Sequence, residues 1–497
     1  MRMTPLRVGL LAAVTAAAMM SVWLINGAPL IYADSGAYLK KGHLALAEIG
    51  LSAPLQTASV EIQSDAPGED APGDVDASRS IVYSLALTIV AMAGRVSWMV
   101  LLQGAVILMT VGLAARVLAR VYGLRGGQLT FLALLAGSAG ALPFYVAFVM
   151  PDFATAPLIL SLALLGVFAG AGLHRTEAAL AVLICVGAAS LHLSHLAIVV
   201  AMLPLVACAA LLISDRGRWV PVLLVGLIIV GGVVERQAFA LSVTANSDRV
   251  VSYMPFLTSR LIDDGPGLRY LEAHCPDAAI ASCALYAELQ KTPDSERYRS
   301  YNILFAHDER GSFKHLSEAQ RTAISAEQQL FALSVLRADP LGVAGAFAEN
   351  VWAQLARFSV SQAVGSPKDV ALANEIQVLS PELFEAGRLA TDRSWLTPVE
   401  QIHGVVYATS ALVLLAALVW PGALDGRMRG FVLLVLAGVL INAVVCGGLS
   451  TPADRYGARV MWLLPLTAVM ASMVWRARAD RPAAAFALTA SSRSRNV

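Results

Sequence analysis

Apolar runs of about 20 residues recur along this chain and constrain its fold more than any other feature. A helix rises 1.5 Å per residue and the hydrocarbon core of a bilayer is about 30 Å thick, so a run of this length can cross it. Ten runs qualify, at residues 7–26, 96–118, 129–149, 154–172, 177–191, 193–213, 219–236, 403–420, 430–446 and 457–475. The sequence therefore predicts an all-α integral membrane protein with about ten transmembrane helices.

Composition excludes the other broad classes. Hydrophobic residues make up 57% of the chain and charged residues 14%, whereas soluble domains have about 45–50% and about 25%. A net charge of +1 argues against a nucleic-acid partner. The same hydrophobic fraction excludes disorder over most of the chain. Five cysteines are too few for a scaffold built on disulfides.

Two long polar segments divide the chain into predicted domains. Residues 1–240 form an N-terminal transmembrane bundle that includes a first outer loop, residues 29–94. Residues 241–401 hold 34 charged residues and helical stretches at 317–337 and 344–360, so they predict a mostly helical extracytoplasmic domain inserted before the last three helices. Residues 402–476 form the C-terminal transmembrane helices, and residues 477–497 are expected to be a disordered cytoplasmic tail.

Charge asymmetry predicts the orientation. With a cytoplasmic N-terminus, the inner segments carry 15 basic and four acidic residues, as the positive-inside rule requires. Both termini are then cytoplasmic and both long polar segments lie outside. Arginine supplies 31 of the 36 basic residues, which is typical of GC-rich bacterial genomes, so the bacterial inner membrane is expected. The first run is interpreted as an uncleaved helix, with a cleavable signal peptide as the alternative.

Two features of the outer segments have open interpretations. Residues 79–93 are apolar but too short to span, so they predict an interfacial or re-entrant helix or an extension of the second span. Cys275 and Cys283 lie eight residues apart on the predicted oxidising side, where a disulfide is permitted.

The first candidate site follows the first span directly and contains Asp34, flanked by Tyr32, Ser35 and Tyr38. An acid anchored at the end of a rigid helix can act as a general base toward an alcohol or as a metal ligand. The alternative is a solvated acid flanked by interfacial tyrosines.

Two further candidates lie in short connections between spans. Asp152 follows Pro151 in a short turn that holds it near the membrane surface, although Pro-Asp is also ordinary turn chemistry. His192 and His195 are three residues apart, so they share a face if the segment is helical, which would suit metal binding or proton transfer. No carboxylate is near them in sequence, and a polar hairpin between two spans is the alternative.

The last candidate site is Arg455, Tyr456 and Arg459 at the outer end of the final span. Arginine is costly near hydrocarbon, and a guanidinium pairs with phosphate oxygens in a forked geometry. These residues therefore predict a lipid-phosphate site, with snorkelling to headgroups as the alternative.

The set of motifs resembles the GT-C class of integral membrane glycosyltransferases, which use polyprenyl-phosphate-linked sugars as donors. The matching features are Asp34 after the first helix, the amphipathic segment 79–93, Asp152 after the third helix, and Arg455-Tyr456 before the last. The resemblance implies that Asp34 deprotonates the acceptor hydroxyl and that Asp152 assists it. Many members have a second acid where this chain has Ser35, so the resemblance names no particular metal and leaves a divalent cation open.

The resemblance also implies the binding residues and partners. Arg455 and Arg459 would bind the lipid phosphate, and the other substrate-binding candidates are Tyr456, Tyr38, Arg79, His192 and His195. The expected partners are the polyprenyl-phosphate sugar, a lipid, glycan or protein acceptor, and membrane lipid. A lipid or polysaccharide transporter would instead place functional charges inside the spans. A non-enzymatic assembly protein would tolerate loss of Asp34 and Asp152.

Overall fold

The computed structural model describes residues 5–48, 50–51, 74–213, 217–246, 250–277, 279–306, 308–380 and 382–493. The structure is 78% helical with almost no strand among these residues, which confirms the all-α class. Two three-residue strands, β1 (Asp74–Asp76) and β2 (Val250–Ser252), pair in parallel. They join the two long polar segments that the sequence separates.

The α-helices are numbered in chain order. They are α1 (Pro5–Met19), α2 (Ser21–Asn26), α3 (Ala33–Glu48), α4 (Ile81–Met92), α5 (Ser97–Tyr122), α6 (Gly126–Ser138), α7 (Leu142–Ala147), α8 (Thr155–Phe168), α9 (Arg175–Leu191), α10 (Leu193–Ile213), α11 (Trp219–Asn246), α12 (Phe256–Asp263), α13 (Pro266–His274), α14 (Ser282–Leu289), α15 (Ser300–Phe305), α16 (Glu318–Ala338), α17 (Pro340–Leu355), α18 (Ser361–Val364), α19 (Pro367–Ile376), α20 (Arg388–Thr391), α21 (Leu396–Val419), α22 (Gly426–Ala443), α23 (Asp454–Met461) and α24 (Leu463–Arg493). Short 3₁₀ turns occupy Pro151–Ala154, Ser295–Tyr298 and Phe313–His315, and a π-helical turn occupies Val444–Gly448.

Seven helical segments in the described part of the chain are long and apolar enough to cross a membrane. They match seven of the ten predicted spans, so the chain is a multi-pass membrane protein. The segments are Ser97–Tyr122, Pro151–Phe168, Leu193–Ile213, Trp219–Asn246, Leu396–Val419, Gly426–Gly448 and Asp454–Asp480.

The other three predicted spans are helical but broken or short, so the count of ten is not confirmed. The run at 7–26 divides into α1 and α2 at Met20, and the run at 129–149 divides into α6 and α7 at residues 139–141. The run at 177–191 is the 17-residue helix α9. Hydropathy shows that a segment is apolar but does not show where its backbone hydrogen bonds are interrupted. For this reason the sequence predicts each broken run as one helix.

The last helix extends into the segment that the sequence predicts to be a disordered tail, and the disorder of residues 477–497 stays a prediction. Helix α24 continues without a break to Arg493, and residues 494–497 lie outside the described part. The sequence after the span is rich in alanine, which has the highest helix propensity. A helix already nucleated by the span extends into such a segment at little cost.

The segment predicted as one inserted domain belongs to two hydrophobic cores. Its first part packs around Leu261, Leu285 and Phe331, and this second core is separate from that of the bundle. Its later residues, including Val360 and Phe384, pack into the core of the bundle itself. The predicted helix at 79–93 is present as α4, and Cys275 and Cys283 form a disulfide beside the second core.

The charges of the bundle lie at its two ends. The ion pairs Arg120–Glu177, at 2.6 Å, and Arg478–Asp425, at 3.7 Å, mark one end. The opposite end carries α3, α4 and residues 250–395, and it is called the loop end below. The helices thus bring all the polar motifs singled out in the sequence to a single end.

Candidate active site

The start of helix α3 places Asp34 at the loop end. Leu30 pairs with the 147–149 segment through two backbone hydrogen bonds, each 2.9 Å long. Ser35 is buried, and its hydroxyl donates to the Val149 carbonyl at 2.9 Å. Ser35 therefore fixes Asp34 against the segment that leads to Asp152. Asp34 lies in the first turn of α3, where the helix dipole stabilises a carboxylate.

Two arginines share the Asp34 carboxylate. Arg79 Nη2 lies 3.0 Å from one oxygen and Arg455 Nη1 lies 3.3 Å from the other. The Asp34 side chain remains 29% exposed. Burial raises its pKa, but the charges and hydrogen bonds of Arg79 and Arg455 outweigh burial and lower the pKa of Asp34 to about 2. The carboxylate is therefore ionised, and a molecule entering from the loop end can reach it.

Arg455 is held by aromatic rings and backbone contacts on α23. Its guanidinium lies over the rings of Tyr32 and Tyr456, at 5.1 and 4.9 Å from their centroids. Its Nη2 donates to the Tyr456 hydroxyl at 3.0 Å, and the Tyr145 hydroxyl donates to its carbonyl. The side chain is 15% exposed, so Arg455 is positioned by its neighbours and still reaches the open side of the site.

Asp152 and Arg459 form a second, fully buried pair. Their side chains are 1% and 0% exposed, with Arg459 Nη1 3.1 Å from the Asp152 carboxylate. Arg459 also donates to Asn442 Oδ1 and to the Ser194 hydroxyl. With its donors directed inward, Arg459 offers no accessible surface to a phosphate in this structure. Its predicted role as a phosphate ligand stays a prediction.

The Tyr456 ring connects the two pairs. The guanidinium of Arg459 lies 5.0 Å from its centroid, and that of Arg455 lies 4.9 Å from it. Cation–π contacts stabilise by about 0.5–1 kcal/mol at exposed sites and by about 2 kcal/mol when desolvated. A continuous chain of contacts therefore runs from Asp34 through Arg455, Tyr456 and Arg459 to Asp152.

The two histidines have different surroundings. His195 is fully buried, and both ring nitrogens have partners, the Thr155 hydroxyl at 2.7 Å and the Ala188 carbonyl at 2.8 Å. His192 Nδ1 accepts from the Ser194 backbone N–H at 3.1 Å, which assigns the ring proton to Nε2. Burial lowers the pKa of His192 to about 4, so it is neutral near pH 7. His192 reaches the site through Ser194, whereas His195 joins neighbouring helices.

Tyr38 and Arg79 differ in their surroundings. Tyr38 is 3% exposed and packs edge-on against Tyr83, with ring centroids 5.2 Å apart. It lies in the packed layer beneath Asp34, and its contact with a substrate stays a prediction. Arg79 lies just before the Ser80 N-cap of α4 and contacts both Asp34 and Asp76.

Three polar residues at this end, of which Gln103 and Asn442 are buried, were missed at the sequence level. Gln103 Nε2 donates to the Val146 and Phe148 carbonyls, and Asn442 Nδ2 donates to the Tyr456 carbonyl at 2.7 Å. Ser194 bridges His192 and Arg459. A lone amide within an apolar run was the available signal, because a buried polar group in a span requires a partner.

The site's capacity for a metal is limited in this conformation. Among the described residues, no group of three or more His, Cys, Asp and Glu side chains is arranged to hold a metal ion. Both aspartates are paired with arginines, and these cations repel a divalent ion. The resemblance leaves a divalent cation open, and these residues do not provide a set of ligands for one.

Comparison of the whole chain with family models, curated proteins and solved structures finds no match. The chemistry of the site is therefore argued from its own geometry.

Proposed function

We propose that this chain is a membrane glycosyltransferase that moves a sugar from a polyprenyl-phosphate carrier to an acceptor at the outer face of the bacterial inner membrane. The observation that supports this most is the partly exposed Asp34 carboxylate between the guanidinium groups of Arg79 and Arg455. It combines a proton acceptor with cations that suit a phosphate leaving group. The acceptor, on this proposal, is a lipid, glycan or protein hydroxyl.

The proposed step is a direct displacement. The acceptor oxygen bonds to the anomeric carbon while the bond from that carbon to the phosphate oxygen breaks, and the electron pair leaves on the lipid phosphate. Arg455 pairs with the developing phosphate charge, and Asp34 takes the acceptor proton. A carboxylate with a pKa of about 2 is a weak base. When the phosphate takes over Arg455, Asp34 loses one of the charges that hold its pKa down and becomes more basic.

The inner part of the chain of contacts has a positioning role in this scheme. Asp152 neutralises Arg459, and Arg459 lies under the Tyr456 ring that supports Arg455. His192 enters the same network through Ser194. Asp152 would thus act through Arg459 and Tyr456 rather than on the acceptor.

Transfer from a labelled polyprenyl-phosphate sugar in purified membranes tests the proposal. We expect Asp34→Asn to lose most activity, because the amide cannot accept the acceptor proton. The matched control is Asp308→Asn, which changes an exposed aspartate paired with Arg310 in the inserted segment. Equal transfer by wild type and Asp34→Asn would remove Asp34 as the base, and absence of transfer by wild type with any donor would reject the enzyme.

One observation favours the transporter alternative. The Asp152–Arg459 pair is buried within two span-length segments, Pro151–Phe168 and Asp454–Asp480. A transporter or flippase would use such buried charges near the ends of its spans for passage. Movement of a fluorescent polyprenyl phosphate across proteoliposomes that depends on Asp152, without sugar transfer, would support this alternative.

A further inference from the structure

Helices α16 and α17 form an elbow at the loop end. Their axes differ by 111°, and together they are long and apolar enough to span a membrane. The bend is encoded locally, because Asp339 caps α17 by accepting from the Gly342 N–H at 2.8 Å and Pro340 opens the helix. The pair is therefore suited to enter a membrane without crossing it as a straight helix.

Helix α17 is mostly apolar, and several of its large apolar side chains are exposed. Only one of its 16 residues, Glu349, is charged, and only Gln354 is buried. Leu341 is 84% exposed and Trp352 is 76% exposed, and Leu330 on α16 is 69% exposed. Fully burying such a side chain stabilises by about 1.5–3 kcal/mol. A helix that presents this surface requires an apolar neighbour that the chain itself does not supply among the described residues.

The position of α17 identifies that neighbour. Gly447 and Gly448, in the π-helical turn that ends the span Gly426–Gly448, allow Gln354 and the Phe347 ring to approach closely. Gln354 also exchanges two hydrogen bonds of 2.9 Å with the Ala453 backbone. These contacts hold α17 at the level where a membrane-spanning helix ends, which is the surface of the bilayer.

We infer that the α16–α17 elbow is an interfacial membrane anchor whose Leu341 and Trp352 side chains lie in the lipid leaflet at the loop end. Tryptophan prefers this depth because its ring is amphipathic. Arg269 and Asp339 pair at the bend and are 59% and 35% exposed, which keeps the bend at headgroup level. An interfacial helix of this kind reaches about 5–10 Å into the headgroup and acyl boundary. The inference does not depend on the proposed function.

Depth-dependent quenching tests the anchor in the full chain. Leu341→Cys and Trp352→Cys are each labelled with an environment-sensitive fluorophore in a Cys208→Ser background, because Cys208 is exposed. The control is Arg310→Cys, at a half-exposed site in the same inserted segment. The proteins are placed in nanodiscs of phosphatidylethanolamine and phosphatidylglycerol that contain lipids with a nitroxide on the upper acyl chain.

We expect the nitroxide lipids to quench labels at 341 and 352 at least about threefold more than the label at 310, since only the first two lie among acyl chains. A water-soluble nitroxide should show the reverse order. Equal lipid quenching at all three positions would overturn the anchor. Disulfide cross-linking between two Leu341→Cys chains, together with weak lipid quenching, would also overturn it, because a second copy would then cover this face. These substitutions change exposed side chains, so loss of fold is not expected to obscure the result.

Discussion

At the scale of single residues, the site depends on how two aspartates share three arginines. Asp34 is partly exposed and has two arginine partners, whereas Asp152 is buried and has one. On the proposed function, exposure keeps Asp34 available for chemistry, and burial gives Asp152 a positioning role. The same residue type therefore has two roles that only the surroundings separate.

The pH dependence of transfer should respond to Arg79. A base must be ionised, so kcat/KM falls as the pH drops through the pKa of Asp34, which is about 2 in the wild type. In Arg79→Gln the charge that lowers this pKa most is absent while burial still raises it, so the acidic limb should move to higher pH. The measurement is a pH profile of kcat/KM for both proteins, and superimposable acidic limbs would contradict the assignment of Asp34 as the base.

The buried pair should respond to single and double substitution differently. Asp152→Asn leaves Arg459 charged and without its counter-ion, and breaking such a buried pair costs about 3–5 kcal/mol. Asp152→Asn combined with Arg459→Met should recover part of this loss, because no unpaired charge remains. Thermal unfolding in detergent measures both. Asp308→Asn is the control, since its exposed partner Arg310 stays solvated, and its midpoint should not change. A double variant less stable than the single would argue against this account.

At the scale of elements, glycines set how closely the inserted segment approaches the site. A Cβ on Gly36 would lie 2.9 Å from the Ala373 Cα, so α19 can pack on the first turns of α3 only because residue 36 has no side chain. This contact lies two residues from Asp34. Helix α19 therefore covers the beginning of the helix that carries the candidate base.

Gly36→Ala should lower both stability and transfer, because the added methyl group displaces α19 from α3. The control is Gly187→Ala in α9, where a Cβ meets nothing within 4 Å. That change should stabilise by about 0.5–1 kcal/mol, as expected for Gly to Ala within a helix. The midpoints of thermal unfolding of the two variants, with transfer rates alongside, make the comparison. A rise in stability for Gly36→Ala equal to that of Gly187→Ala would show that the close packing is not needed.

At the scale of the whole molecule, the two hydrophobic cores stabilise different parts of the chain. The bundle core carries the site elements, and the second core, around Phe331, supports the first part of the inserted segment. The two cores share few helices, so the free energies of unfolding of the two regions should differ. Local unfolding follows cooperative units of this kind.

Phe331→Ala should loosen the second core and leave the bundle intact. Phe331 is 2% exposed, and such a truncation costs about 3–5 kcal/mol. Hydrogen–deuterium exchange should rise in helices α12 to α16 and stay unchanged in α5 and α8. The neighbouring change Leu330→Ala, at a side chain that is 69% exposed, should leave exchange within the second core unaltered. Faster exchange in α8 for Phe331→Ala would show that the two cores unfold as one.

The sequence by itself determined the class of the molecule and seven segments long and apolar enough to cross a membrane, because hydropathy and length are local properties. It also singled out Asp34, Arg79 and Arg455, since isolated charges beside apolar runs are conspicuous. It could not decide that Arg79 and Arg455 meet on one carboxylate, since these residues lie 45 and 421 positions from Asp34. Nor could it separate partly exposed Asp34 from buried Asp152, or show that the runs at 7–26 and 129–149 are broken. These properties depend on which helices pack together, and only the tertiary structure decided them.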